Sequence, residues 1–197
     1  MADSTGNVVV VFVQNNGSRN VLYAVSGSPG AGGVGPVWRS PVPIDGSVAP
    51  AMDPGSGSWD IGLSVAPNGR AYATWFTIAP CNARTYNTVA SSCHFLYGVS
   101  FDGANWSVPQ LISDSPRTFG TAFPRINNNG DIAVVYDGYL IPGTSISNQR
   151  VTVASRLNGQ SAFSKVLFSD WALGSYVYLG KHVDAGIDNQ GNIGWTA

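Results

Sequence analysis

Short apolar runs alternate with clusters of Gly, Asn, Asp, Ser and Pro along the whole chain. Runs of four to six residues rich in Val, Ile, Phe and Tyr, bounded by turn formers, predict strands. Strands are expected at Val8–Val13, Val21–Val25, Ile61–Val65, Ala71–Phe76, Phe95–Val99, Pro124–Ile126, Ile132–Tyr136, Val151–Ser155, Val183–Ile187 and Ile193–Thr196. Three further segments, Val37–Ile44, Trp106–Ile112 and Phe163–Phe168, open on or near an aromatic residue followed by Ser or Arg-Ser.

The turns between these strands recur. Gly6, Gly69, Gly130 and Gly191 each follow an Asn- or Asp-bearing cluster, and each precedes a strand. Their spacings are 63, 61 and 61 residues (6 to 69, 69 to 130, 130 to 191). The second half of the unit keeps the same period. Val21–Val25, Phe95–Val99 and Val151–Ser155 each lead through a Gly-containing turn into one of the three aromatic-led segments. The unit is therefore a four-stranded antiparallel meander, and its tandem repetition predicts an all-β fold of β-propeller blades.

The expected divisions of this single propeller segment are residues 6–45 for the last three strands of blade 1, 59–113 for blade 2, 122–169 for blade 3 and 182–197 for the start of the next. Propellers close with four to eight blades, so this stretch makes an incomplete ring. Either it is part of a longer propeller, or other copies complete the ring, because open sheet edges invite pairing.

Composition agrees with strands and turns. The chain has 24 Gly and 12 Pro, no Glu, and Lys only at 165 and 181, so good helix formers are scarce. A formal net charge of −1 supplies no basic face for nucleic acid. No apolar run reaches membrane-spanning length, and Val8–Val13 reads as a buried strand rather than a signal-peptide core. Cys81 and Cys93 bracket one polar loop between two expected strands, the arrangement of a disulfide staple, with two free thiols as the alternative. A staple would place the protein in an oxidising, extracellular setting. Neither a metal nor a cofactor is expected.

Ser100-Phe101-Asp102-Gly103-Ala104-Asn105-Trp106-Ser107-Val108-Pro109 resembles the Asp-box (BNR) turn of sialidase-like β-propellers. A degenerate copy stands at Ser155–Phe163, where Asn158 replaces Asp and Phe163 replaces Trp. In the first unit the insert Gly27–Gly35 interrupts the box. Ser100, Asp102, Gly103 and Trp106 are read as structural, with Asp102 a turn former and Trp106, like Trp38, a cover for a hairpin end. The resemblance implies a glycan-facing surface, on the end of the blades away from these turns.

That end is expected to carry the loops Gly46–Ser58, Phe76–Ser92, Asp114–Ala122, Gly138–Gln149 and Ser169–Lys181. They hold the candidate ligand residues Arg84, Tyr86, Arg117, Tyr139, Trp171, Tyr176 and Tyr178, with Asp60, His182 and Asp184 near the starts of inner strands. Tyr and Trp stack on sugar rings, and Arg forks onto anionic groups. Packing between blades is the competing role for the aromatics, and pairing with Asp114 for Arg117.

Against catalysis, the resemblance implies a Tyr nucleophile activated by Glu, an Asp acid/base and three Arg; this chain has no Glu. Phe123-Pro124-Arg125-Ile126 also carries the residue types of the family's Phe/Tyr-Arg-Ile-Pro segment in another order. The expectation is a non-catalytic recognition or structural module. Its alternatives are a piece of an exo-glycosidase whose catalytic residues lie elsewhere, and a self-assembling structural subunit.

Overall fold

The structure is a computed structural model describing residues 1–33, 35–50, 61–80, 92–115, 122–139, 149–167 and 184–196. The fold is all-β, and the described residues hold fourteen strands. Strands β1 (Val8–Asn15), β2 (Asn20–Ser28), β3 (Val37–Trp38) and β4 (Val42–Pro43) form the first sheet. Strands β5 (Ile61–Val65), β6 (Ala71–Pro80), β7 (Ser92–Phe101) and β8 (Gln110–Ser115) form the second. The third runs β9 (Ala122–Ile126), β10 (Ile132–Tyr139), β11 (Gln149–Arg156) and β12 (Ser164–Leu167). Strands β13 (Asp184–Ile187) and β14 (Ile193–Thr196) pair as a two-stranded sheet. Every pairing is antiparallel, and the second and third sheets are meanders in chain order.

The expected strands are all present, with four differences of detail. The fourth strand of the first unit is broken into β3 and β4, with Arg39–Pro41 between them; a proline cannot donate to the ladder. In the second unit Trp106 makes only an isolated bridge to Phe101, and β8 begins at Gln110, directly after Pro109. The expected loop Phe76–Ser92 is shorter, because β6 and β7 stay paired as far as Pro80↔Ser92. Similarly Tyr139, expected in a loop, is the last residue of β10 and sits opposite Gln149.

Ala2↔Val8 occupies the same rung relative to its turn as Val65↔Ala71, Ile126↔Ile132 and Ile187↔Ile193. In the second and third sheets this ladder continues to Ile61↔Trp75 and Ala122↔Tyr136. The sheets are therefore copies in register as well as in order.

They pack face to face in chain order. Strand alternation sends one set of side chains forward and the other back. From β6, Ala73 and Trp75 turn toward the first sheet and cluster with Leu22, Ala24 and Ile44, with Val11 and Val13 against them. Tyr72 and Phe76, on the other face of β6, join Ile126, Ile132, Val134 and Tyr136 of the third sheet. Val135 and Val153 pack with Ala185, and with Phe123 and Ile193 beside them. Close approach depends on two glycines of the second sheet. A Cβ on Gly62 would lie 2.5 Å from Pro124, and one on Gly98 would lie 2.3 Å from the Tyr72 hydroxyl. That hydroxyl is buried and has no hydrogen-bond partner among the described residues, and burial pushes the phenol pKa upward.

Gly98→Ala is therefore expected to destabilise the protein by about 1–3 kcal/mol, the usual cost of overpacking, as a lower urea midpoint. Tyr72→Phe removes a buried, unpaired hydroxyl and is expected to leave the midpoint unchanged or raise it.

Candidate functional site

In an antiparallel meander, alternate connections emerge at opposite ends. One end of these sheets carries the turns β5–β6, β7–β8, β9–β10, β11–β12 and β13–β14; Pro80, Ser92, Ser115, Ala122, Tyr139 and Gln149 lie at the other. The candidate ligand residues are assigned to the latter end. Asp60, Arg84, Tyr86, Arg117, Trp171, Tyr176, Tyr178 and His182 lie outside the described residues, as does Cys81. Tyr139 and Asp184 have described main chains, ending β10 and opening β13 opposite Thr196. Cys93 lies on β7 opposite Ala79. Among the described residues no group of three or more His, Cys, Asp or Glu side chains converges as for a metal ion.

The turns β5–β6, β7–β8, β9–β10, β11–β12 and β13–β14 lie wholly within the described residues. At the Ser100–Trp106 hairpin, the Asp102 carboxylate accepts from the backbone N–H of Ala104 at 2.8 Å and of Asn105 at 2.7 Å. Those bonds hold its pKa below the usual carboxylate value, Asn105 contributing most. Gly103 takes φ +105°, which an L side chain resists. The backbone N–H of Ser107 donates to the Ser100 carbonyl at 2.8 Å, and the Ser107 hydroxyl accepts from the Ser100 N–H at 3.0 Å. The Trp106 ring lies 5.0 Å from that of Phe101, closing the hairpin over the core. Ser100, Asp102, Gly103 and Trp106 thus all have structural work in the hairpin.

The box also joins two sheets. Arg156 of β11 donates to the Ser100 hydroxyl at 3.0 Å and to the Gln110 side-chain oxygen, and its guanidinium lies 5.4 Å from the Phe163 ring centroid. Phe163, standing where the box has Trp, is the platform for this cation–π contact.

The hairpins opening each unit carry a second motif, visible in the sequence as a glycine period with an Asn- or Asp-bearing cluster before each glycine. Asp3 and Asp188 each accept from the backbone N–H groups two and four residues on, Thr5 and Asn7 in one case, Gln190 and Asn192 in the other. Each also accepts from the Asn side chain four residues on, at 2.8 Å. In the third turn the pair is exchanged. Asn127 does the backbone work, and its amide donates to Asp131 at 2.7 Å. The second turn has Ala66 and Arg70 instead; it keeps the two main-chain bonds common to all four, and its Asn68 side-chain oxygen accepts from the Arg70 N–H at 3.3 Å.

These turns hold one another. Ser4 donates through its N–H and hydroxyl to the Pro67 carbonyl. Asn68 donates to Asn128, whose N–H donates to Asn189; Asn129 also donates to Asn189. The direction never reverses: each turn donates to the next. Arg125 reinforces the last step, donating through Nε to the Ala185 carbonyl at 2.6 Å. Its segment drew notice only for its residue order, and the sequence carried no signal for this contact.

Comparison with protein-family models, with curated proteins and with solved structures finds no match for this chain. The fold defines an all-β protein of successive antiparallel sheets.

The side chain of Asn7 lowers the pKa of Asp3, and that of Asn192 lowers the pKa of Asp188, while backbone groups lower Asp102. A carboxylate whose folded pKa is depressed adds stability above its unfolded value and loses it as pH falls through the folded one. The urea midpoint is therefore expected to fall as pH drops from about 5 toward 2. Asp102→Asn should flatten that decline by removing one of the three carboxylates.

Proposed function

We propose that this chain is a segment of a sialidase-like, Asp-box β-propeller and serves as a non-catalytic, glycan-facing recognition or structural module outside the cell. The observation that carries the reading is the hairpin at Ser100–Trp106. Its carboxylate-capped turn, positive-φ glycine and covering Trp stand within a tandem series of four-stranded meanders, and a degenerate copy at Ser155–Phe163 has Asn158 and Phe163 in their place. Two in-register complete meanders, flanked by partial ones, support blade architecture. The absence of Glu from the sequence supports a role other than sialidase-type catalysis for this stretch.

Rigid sheets with short, mutually bonded turns at one end leave binding to the longer connections at the other. We assign the ligand contacts to Arg84, Arg117 and Trp171, with Tyr86, Tyr139, Tyr176 and Tyr178 around them. On a panel of neutral and anionic glycans the wild-type chain is expected to bind. Arg84→Ala, Arg117→Ala and Trp171→Ala should each weaken binding roughly tenfold or more, as loss of a charge-assisted contact or a stacking face does. A fluorogenic sialoside should remain uncleaved. Absence of binding to every glycan would overturn the recognition reading.

The extracellular assignment includes a Cys81–Cys93 disulfide. Closing a loop of about a dozen residues contributes roughly 3 kcal/mol. Cys93→Ser should therefore melt below wild type without reductant and together with it once reductant is added. Coincident melting in both conditions would overturn the staple.

A further inference from the structure

Asn is followed directly by Gly at four places in the chain: Asn16, Asn68, Asn129 and Asn158. Asn is a thermally labile residue. Its side-chain amide carbon is open to attack by the backbone nitrogen of the next residue, and glycine, lacking a Cβ, obstructs that attack least. The reaction requires two groups to be loose. The glycine N–H must be released from any acceptor before its nitrogen can act as nucleophile, and the Asn amide must be able to turn onto it.

Three of the four pairs are held at both groups. The Gly17 N–H donates to the Asn15 side chain at 2.8 Å, while the Asn16 side-chain oxygen accepts from the N–H groups of Ser18 and Arg19. The Gly69 N–H donates to the Ala66 carbonyl at 2.9 Å, and the Asn68 amide donates to the Asn128 carbonyl at 2.7 Å. The Gly130 N–H donates to the Asn127 carbonyl at 3.1 Å, and the Asn129 amide donates to the Asn189 carbonyl at 2.6 Å. The fourth pair differs because its turn is set one residue later. There the closing bond runs from the Gln160 N–H to the Leu157 carbonyl at 3.0 Å, so Gly159 stands inside the turn rather than at its end. Among the described residues neither the Gly159 N–H nor the Asn158 side chain has a hydrogen-bond partner. Both residues are exposed, Gly159 takes φ +87°, and a Cβ built on it would meet nothing within 4 Å.

We propose that Asn158–Gly159 is a site of spontaneous covalent modification, at which the folded protein deamidates in preference to its other three Asn-Gly pairs. The Gly159 nitrogen bonds to the Asn158 side-chain carbon, the bond from that carbon to Nδ2 breaks, and ammonia leaves with the Gly159 proton. Water then opens the resulting succinimide ring. Attack at the side-chain carbonyl gives Asp, and attack at the main-chain carbonyl gives isoaspartate; no oxidant or reductant takes part. Either product adds a negative charge beside Asp131, whose carboxylate accepts from the Asn158 N–H at 2.8 Å. Isoaspartate also lengthens the main chain by one methylene at the point where that bond ties the opening hairpin of the third unit to the closing one. The proposal does not rest on the functional reading.

Peptide mapping tests it, because cleavage after Lys and Arg places each pair on its own peptide: 1–19, 40–70, 126–150 and 157–165. The purified chain is incubated folded in neutral buffer, and in parallel unfolded in urea, then digested and followed by mass. In the folded protein, peptide 157–165 is expected to exchange NH for O at least about fivefold faster than the other three, the factor that one hydrogen bond is worth. It should divide into two products of equal mass, and the Asn158→Asp variant identifies the Asp form by its retention time. In urea the four rates should converge, since the turn bonds that protect three of the pairs are gone. Asn158→Gln, whose longer side chain would have to close a larger ring, should leave its 157–165 peptide unchanged over the same period. A folded protein in which 157–165 converts no faster than the other peptides overturns the proposal, as does the same preference for 157–165 persisting in urea.

Discussion

A tight turn exposes backbone groups that neither of its strands can satisfy, and buried or half-buried ones must find partners. This chain meets that constraint twice over at each hairpin. Asx side chains satisfy N–H groups within the turn, and the neighbouring turn takes carbonyls and donors that remain. The arrangement of the sheets depends on the second half of that solution. Apolar faces alone would tolerate sliding, because dispersion and burial are not directional. A hydrogen bond from Asn128 to Asn189 is directional, and it fixes one sheet against the next at the tip.

Charge is deployed sparingly within this frame. Asp45 is fully buried and is met by Arg19 at 2.6 Å, which also donates to the Gly46 carbonyl. The Val48 carbonyl, one turn further on, accepts from the Trp75 indole at 3.0 Å. An ion pair in the first unit thereby shapes the loop that receives the second unit's largest buried side chain. In the third unit, exchanging Asn and Asp between positions 127 and 131 moves the carboxylate four residues along. From there Asp131 accepts from the Asn158 N–H at 2.8 Å and ties the opening hairpin to the closing one. Arg156 ties that closing hairpin in turn to the Ser100–Trp106 hairpin of the second unit.

Alternation of Val, Ile and Tyr with polar residues, and the glycine period, made the strands and hairpin turns legible in the sequence. These are local properties, and local rules govern them. The ends of strands were less legible. Tyr139 reads as loop because Gly138 precedes it, yet pairing with β11 carries the strand onward. Trp106 reads as the start of a strand because of its β-propensity, yet Pro109 delays the ladder until Gln110. The contacts of Arg125 and Arg156 were not legible at all, since each reaches a neighbouring unit 46 to 60 residues away along the chain. The structural role of Asp102, Gly103 and Trp106 was legible from their residue types. The candidate ligand residues were assigned only by their place on the connecting loops.

A series of sheets in which each touches its neighbours has a thermodynamic profile along its length. Stability in such arrays is a sum of unit and nearest-neighbour terms. The second and third sheets have neighbours on both faces, whereas the first and the β13–β14 pair have a described neighbour on one. Opening should therefore cost least at the outer members and most in the middle, so backbone amides of β6 and β10 exchange with solvent more slowly than those of β1 and β14. Each described sheet thus draws part of its stability from the sheets it touches, so a change at one interface is felt by both of its members.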